Sequence, residues 1–389
     1  MTDSLGQSQV IPYLVGLVKE GHEVHILSCE KEEAFKANQD GIQMLLFKNG
    51  IHWHPVKYTK FPPVLSTLKD VRKLNMKAKR LQYRLNFDAV HCRSYIAALI
   101  GLKLKKKYDL KFIFDIRGFW ADERVDGGLW DLSKKTYRRI YDYFKNKEKE
   151  FFENADAIVT LTNASRNYIQ ENFSHNCSIT VIPCAADLDL FIPQTEEIKR
   201  SMKTGLGLKD EFVLLYLGSI GTWYLLPEML DFFLALKEVK PDAKFVFITG
   251  DDAQEIQKVA AEKGVVSEDI IVKKSQREDV PGYISIADLS VFFIKPCFSK
   301  MASSPTKHGE LLACNVPVIC NEIGDLKEIL DQQNVGACIN EFSNEAYKKA
   351  LHRALAIVPN KTMTSLAEKH YSLKQGTKRY CSVYDSLVS

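Results

Sequence analysis

Apolar residues gather along this chain in short uninterrupted runs rich in Val, Ile, Leu and Phe, and between the runs they recur at helical spacing. Runs of the first kind fit strands buried on both faces, and the helical period fits amphipathic helices covering them. The alternation therefore predicts βα units around parallel sheets. Strands are expected at 23–28, 41–46, 51–56, 87–92, 111–116, 155–161 and 179–183, and again at 212–217, 244–248, 270–272, 289–294 and 316–319. Helices are expected at 10–19, 95–106, 133–154, 225–237, 253–263 and 371–387. Residues 190–211 are polar, carry Pro193 and hold no buried run, which marks a linker. The expected organisation is α/β, with a first domain over 1–190, a linker over 191–211, a second domain over 212–370 and a terminal segment over 371–389.

The first domain opens out of order. Residues 1–9 read as a polar loop containing Gly6 and lead straight into the helix at 10–19, whose turn at Glu20-Gly21-His22 feeds a strand. A helix–turn–strand unit ordinarily follows a strand, so the first strand of this domain is expected to be missing and the start of the chain to be truncated. Such a strand belongs in the middle of a doubly wound sheet, and its loss leaves neighbouring strands without partners for their backbone groups.

Residues 301–320 concentrate the candidate chemistry. Ser304-Pro305-Thr306 reads as a helix start, with Ser as cap and Pro at the first helical position, and Asn315 as a left-handed stop before a short strand. Amides at such a start favour an anion in the crevice at the carboxyl ends of a parallel sheet. Lys295 and Lys300 precede it and Lys307 lies in its first turn, a set of cations suited to a diphosphate. Glu310, about a turn further on, can accept from a ribose diol. An ordinary capped helix with solvated lysines and an exposed Glu fits the same residues.

Composition narrows the choice. With 389 residues, 46% apolar and 26% charged, the chain is long enough for two ordinary domains. A net charge of +4 argues against a dedicated nucleic-acid binder. The nine cysteines contain no Cys-x-x-Cys pair and read as buried thiols of a reducing compartment. No run is long enough to span a membrane and no signal-peptide core is present, so a cytoplasmic location is expected. Neither the histidines nor the acidic residues show metal-ligand spacing, so no metal is expected.

Two further segments stand out. His52-Trp53-His54-Pro55, Tyr58 and Phe61-Pro62-Pro63 run into a basic helix carrying Lys69, Arg72, Lys73, Lys77, Lys79, Arg80 and Arg84. Residues 52–84 therefore fit peripheral contact with an anionic membrane, and equally a solvated helix face. The loop at 117–127 after the strand at 111–116 is dense in charge and aromatics where a sheet's ligand edge belongs, and fits acceptor binding and the reaction centre. Its Arg117 stays protonated and cannot serve as a general base, but it can pair with a phosphate, Asp122 or Glu123. A structural ion-pair cluster is the other reading.

Ser-Ser-Pro-Thr-Lys-x-Gly-Glu-Leu-Leu-Ala-Cys-Asn-x-Pro-Val-Ile, beginning at Ser303, resembles the donor-binding helix of the retaining nucleotide-sugar glycosyltransferases grouped as family 4. The resemblance implies a GT-B fold, two Rossmann-like domains facing a cleft, with the terminal helix packing back on the first. It also implies a nucleoside diphosphate sugar as co-substrate with no other cofactor, and a hexosyl group passed with retention, without metal, to a glycan or lipid-linked acceptor. In that frame Gly6 belongs to the first glycine loop, Gly218 and Ser219 to the turn after the second domain's first strand, and 273–277 to the nucleobase. Lys295, Ser304, Thr306 and Lys307 fall on the phosphates and Glu310 on the ribose. Arg117 occupies the place of the family's frequent histidine, and with Asp115 and Lys300 makes up the implied catalytic set. The chain departs from the pattern at Ala302, where the family has a Glu, at Cys184-Ala185-Ala186-Asp187, where Asn-Gly-Val-Asp is usual, and between Gly218 and Glu228, where an Arg and a Lys are missing. A nucleotide-sugar epimerase of the same architecture and a non-catalytic donor-binding or scaffold protein are the competing expectations.

Overall fold

In the computed structural model, residues 1–62 and 64–388 are described, so Pro63 of the aromatic segment lies outside the described residues. The chain divides into two compact units, Met1–Pro183 together with the C-terminal helix Leu373–Val388, and Cys184–Ser372. Every strand pairing within their sheets is parallel.

The first unit contributes β1 (Val24–Glu30), β2 (Ile51–Lys57), β3 (Ala89–Arg93), β4 (Lys111–Asp115), β5 (Ala157–Thr160) and β6 (Ile179–Val181). β3 to β6 form one sheet in sequence order, and β1 and β2 form a separate pair. No strand among the described residues joins the two pieces. Apolar packing does so instead: Leu74, Ala78, Ile100 and Leu104 form a cluster against which Leu27, Cys29, Val56 and Val90 pack. The loop expected over 1–9 contains a short helix, Ser4–Gln9, because the Asp3 side chain caps it by accepting from the Gly6 amide at 2.7 Å.

The second unit carries β7 (Val213–Leu217), β8 (Lys244–Ile248), β9 (Ile270–Lys273), β10 (Leu289–Phe292), β11 (Val318–Asn321) and β12 (Gly336–Ile339). They form one sheet in the order β12-β11-β10-β7-β8-β9. The order reverses between β7 and β10, which makes the loops after these two strands the ligand crevice of an open α/β sheet. All five residues of β7 are buried, as expected of a strand covered on both faces. The Asn321 side chain locks the crevice side of β10, accepting from the Ile294 amide and donating to its carbonyl, both at 2.8 Å.

Two expectations are corrected. Residues 41–46 are no strand but part of the helix Glu32–Lys48, with Ile42 and Leu46 buried one turn apart. The expected linker contains the helix Glu196–Gly205, capped by Thr195, and the second unit already begins at Cys184. The terminal helix expected over 371–387 is present as Leu373–Val388, and Ser372 before it has an extended backbone that bridges to Ala186.

Candidate functional site

In the second unit the chain leaves β10, makes a short 3-10 turn at Phe298–Ala302 and enters the helix Thr306–Ala313. The cap is Pro305, one residue later than expected, in extended geometry. Ser304 does not cap the helix. Proline disfavours helical geometry in the residue before it, and the Ser304 hydroxyl accepts from the Cys184 amide at 3.3 Å. The first-turn amides lie beyond the reach of their own helix's carbonyls. Asn315 is left-handed, as its place in the sequence predicts.

Lys307 turns inward from this first turn. Its Nζ lies 3.5 Å from the ring centre of Tyr224 and 4.2 Å from that of Tyr216, and donates to Tyr216 Oη at 3.1 Å. The Tyr216 hydroxyl in turn donates to the Ser219 carbonyl at 2.8 Å. Gly218 completes the enclosure: with φ at +95° it suits glycine, and a Cβ there would stand 3.4 Å from Lys307 Nζ. Burial pushes the Lys307 pKa well down, with Glu310 and Asp251 acting the other way.

The turn after β7 is pinned by Asp251, which accepts from Ser219 Oγ at 2.9 Å and from the Ile220 amide at 2.5 Å. Beyond it lies a cavity of about 550 Å³ lined by Gly250, Asp251, Asp252, Ala253, Val272 and Lys274, a size usual for small-molecule sites. Glu310 is buried, and its Oε1 accepts from both terminal nitrogens of Arg277 at 3.2 Å. Burial raises its pKa against the pull of the Arg277 charge. Arg277 itself stacks over Phe191 at 5.0 Å. Lys300 is buried with its Nζ 3.5 Å from the Trp223 ring centre, whereas Lys295 is exposed and its amide donates to the Trp223 carbonyl at 2.8 Å. Sequence reading missed Tyr216, Tyr224 and Asp251, and also His308, which is fully buried, bonded through Nδ1 to Tyr371 Oη at 2.7 Å and pushed by burial down to about 3.

In the first unit Arg117 follows β4 with φ at +56°, and Gly118 after it has φ at +136°. The Arg117 guanidinium turns back toward Asp115, 3.8 Å from Oδ1, and not toward Asp122, which accepts from Lys145 at 2.9 Å and Tyr141 at 2.7 Å. Asp115 is buried, accepts from Tyr380 Oη at 2.8 Å and lies 3.4 Å from His91 Nε2, so its carboxylate is engaged within the unit. Burial pushes its pKa up, but the Arg117 charge and the His91 bond outweigh this and bring it down to about 2. Gly6 is also corrected, since its amide serves Asp3 within a helix and no glycine loop forms there.

A lowered carboxylate pKa stabilises the fold above its unfolded value, ordinarily 3.8, and that stabilisation is lost as the pH falls toward about 2. Asp115→Asn should therefore unfold more easily than the native chain near neutrality, by about 2 kcal/mol. The gap should close on acidification. Denaturant unfolding at several pH values checks this, and a gap that does not change with pH would remove the ionised-Asp115 account.

Comparison with known proteins adds to this geometry. Residues 9–190 match the family described as Glycosyltransferase Family 4, and residues 198–371 match Glycosyl transferases group 1. The D-inositol 3-phosphate glycosyltransferase of Corynebacterium urealyticum is 22% identical over 324 residues, covering 79% of this chain and 73% of the relative. Among solved structures, a glycosyltransferase from Rickettsia africae ESF-5 superposes with a TM-score of 0.68 at 16% identity, covering 100% of this chain and 96% of that one. Anabaena Alr3699/HepE in complex with UDP and glucose gives a TM-score of 0.68 at 14% identity, covering 96% and 95%. The two units are thus GT-B-like in fold.

Proposed function

The chain belongs to glycosyltransferase family 4 and transfers a sugar from a nucleotide sugar; from that premise we propose that it is a retaining hexosyltransferase whose donor diphosphate sits at the start of the helix Thr306–Ala313. One observation carries this reading: the Lys307 amine, buried in that helix's first turn, stands directly under the Gly218 turn after β7. A buried cation is costly unless an anion compensates it, and a diphosphate does so. The nucleobase takes the cavity at Gly250, Val272 and Lys274, and the Glu310–Arg277 pair reads the ribose. The binding of UDP and glucose by Anabaena HepE supports a nucleoside diphosphate hexose as the donor class.

Chemistry follows from where charge develops. As the bond between the anomeric carbon and the diphosphate oxygen breaks, negative charge grows on the leaving group. Lys307, assisted by Lys300, Lys295, the Thr306 hydroxyl and the first-turn amides, stabilises it without needing a metal. The acceptor hydroxyl attacks on the face the diphosphate leaves, and a donor phosphate oxygen takes its proton, so anomeric configuration is retained. No pair of opposed carboxylates is required, unlike glycoside hydrolysis. In the first unit Arg117 binds an anionic group of the acceptor and Asp115 is a positioning residue that holds its guanidinium. Ser304 supports the helix start through its bond to the Cys184 amide.

The acceptor is a glycan or a lipid-linked sugar, and the basic helix Leu65–Leu85 brings the enzyme to it at a membrane face. Among the described residues no helix is long and apolar enough to cross a membrane. Leu65, Leu68, Arg72, Met76, Arg80 and Tyr83 are exposed at helical spacing, the last of them 88% exposed, an apolar stripe with interspersed cations. Vesicles containing phosphatidylglycerol should bind the protein more tightly than neutral vesicles. Arg72→Glu with Arg80→Glu should weaken that binding by at least about tenfold, since each basic residue near such a surface is worth about 1 kcal/mol. Equal binding to neutral and anionic vesicles would exclude the contact.

The function itself is tested by incubating the full chain with a panel of nucleoside diphosphate sugars and lipid or glycan acceptors, and following both sugars and nucleotide. Acceptor-dependent release of nucleoside diphosphate with a retained anomeric bond is expected. Epimerised donor in the absence of acceptor, or binding without turnover, would overturn it in favour of an epimerase or a donor-binding protein.

A further inference from the structure

The amino ends of β1 and β2 carry a second cluster that the transfer reaction does not use. Parallel pairing sets His25 directly across from His52, with His54 two residues further along β2 and Glu23 just ahead of β1. His25 Nε2 is 2.9 Å from Glu23 Oε1, and His25 Nδ1 is 3.0 Å from His54 Nε2. The His25 and His52 rings stack with centres 4.4 Å apart. One ligand atom from each of Glu23, His25 and His52 lies within 4.8 Å of the others. We propose that these three side chains form a binding site for a divalent transition-metal ion of the zinc type, with His54 as the outer partner that orients His25.

The donor set decides the class of ion. Two imidazoles and one carboxylate, with a position left for water, suit Zn²⁺ and its neighbours, whereas Mg²⁺ and Ca²⁺ prefer sites built of oxygen. The geometry needs only small adjustments. Zinc bonds of about 2.0–2.2 Å put tetrahedral ligand atoms roughly 3.4 Å apart. His25 is the fixed member, held by His54 on one ring nitrogen and by the edge-on ring of Phe87 at 5.0 Å. His52 and Glu23 are exposed and can rotate to meet it. A ligating histidine usually has its other ring nitrogen engaged by an outer partner, which fixes its tautomer. Here His25 Nδ1–H donates to His54 Nε2 while Nε2 turns its lone pair to the metal. The Nε2 contact with Glu23 is given up to the metal, and His25 binds as the neutral Nδ1–H tautomer with no net loss of a proton.

Such an ion would tie β1 to β2 at the amino end of a two-stranded sheet that no other strand supports among the described residues. Any ligand that binds only the folded chain stabilises it by mass action, so the site acts as a staple independent of donor binding.

The test uses the full chain without a polyhistidine tag, stripped with chelator and titrated with zinc chloride in a calorimeter beside His52→Ala and Glu23→Gln. One ion per chain in the micromolar range or tighter is expected, with affinity falling at least about tenfold in His52→Ala. Zinc should raise the melting temperature of the native chain but not of that variant. Cobalt should give the visible absorption of a tetrahedral site in the native chain alone. His52 is exposed, so its removal does not threaten the fold; His52→Gln repeats the test with the side chain's bulk retained. No saturable zinc binding below the millimolar range, or equal binding by the native chain and both His52 variants, overturns the proposal.

Discussion

Lys307→Met is expected to lower kcat/KM for sugar transfer by about a hundredfold or more, the usual loss when a preorganised group facing developing charge is removed. The melting temperature should stay level or rise. The native amine is buried against Tyr216, Tyr224 and Phe292, and replacing a buried ionisable group by an apolar chain of similar length is often neutral or stabilising. Activity and stability therefore move in opposite directions, which a merely structural lysine would not produce. Proton linkage gives an independent sign. Burial holds the free-state pKa of Lys307 well down, with Glu310 and Asp251 opposing, and an arriving diphosphate raises it, so binding takes up a proton. Affinity should be full below the free-state pKa and decline as the pH rises through it. Calorimetry in buffers of different ionisation enthalpy should record that uptake in the native chain and none in Lys307→Met. A variant that is destabilised yet keeps native turnover and proton uptake would make Lys307 a packing residue.

Glu310→Ala should weaken donor binding by about 1–3 kcal/mol, the cost of leaving hydroxyl donors unmatched in a desolvated site. Its carboxylate already accepts from Arg277 through Oε1, which leaves Oε2 and the remaining lone pairs for the ribose. Glu310→Gln should be milder, since it keeps an acceptor oxygen. The discriminating ligand is the 2′-deoxyribose donor: its weaker binding to the native chain should largely vanish in Glu310→Ala. If the variant still prefers ribose over deoxyribose, Glu310 serves Arg277 alone and the orientation of the donor is wrong.

What could be read from the chain was local. Pro305, Asn315 and the apolar run at 316–319 act over a few residues, so the helix start was legible to within one residue and the following strand, Val318–Asn321, to within two. Residues 41–46 misled because a short, mostly apolar stretch fits a strand as well as a helix. Only packing reveals that Phe47 is 82% exposed while Ile42 and Leu46 are covered. Partners far apart in sequence were hidden: Lys307 meets Tyr216 across 91 residues, and Asp115 meets Tyr380 across 265. The same holds for Glu23, His25 and His52, which show no ligand spacing until the β1–β2 register brings them together. Gly6 failed for the opposite reason, because a cap as near as Asp3 turned an expected loop into a helix.

The most direct measurement is a calorimetric comparison of nucleoside, nucleoside monophosphate, nucleoside diphosphate and nucleoside diphosphate sugar binding to the full chain, repeated on Lys307→Met. If the helix start at Thr306 is the diphosphate site, the diphosphate binds the native chain at least about tenfold more tightly than the nucleoside, a difference of about 1.4 kcal/mol, and most of that advantage disappears in the variant. Equal affinity for nucleoside and diphosphate, or an advantage that survives the loss of Lys307, would contradict it.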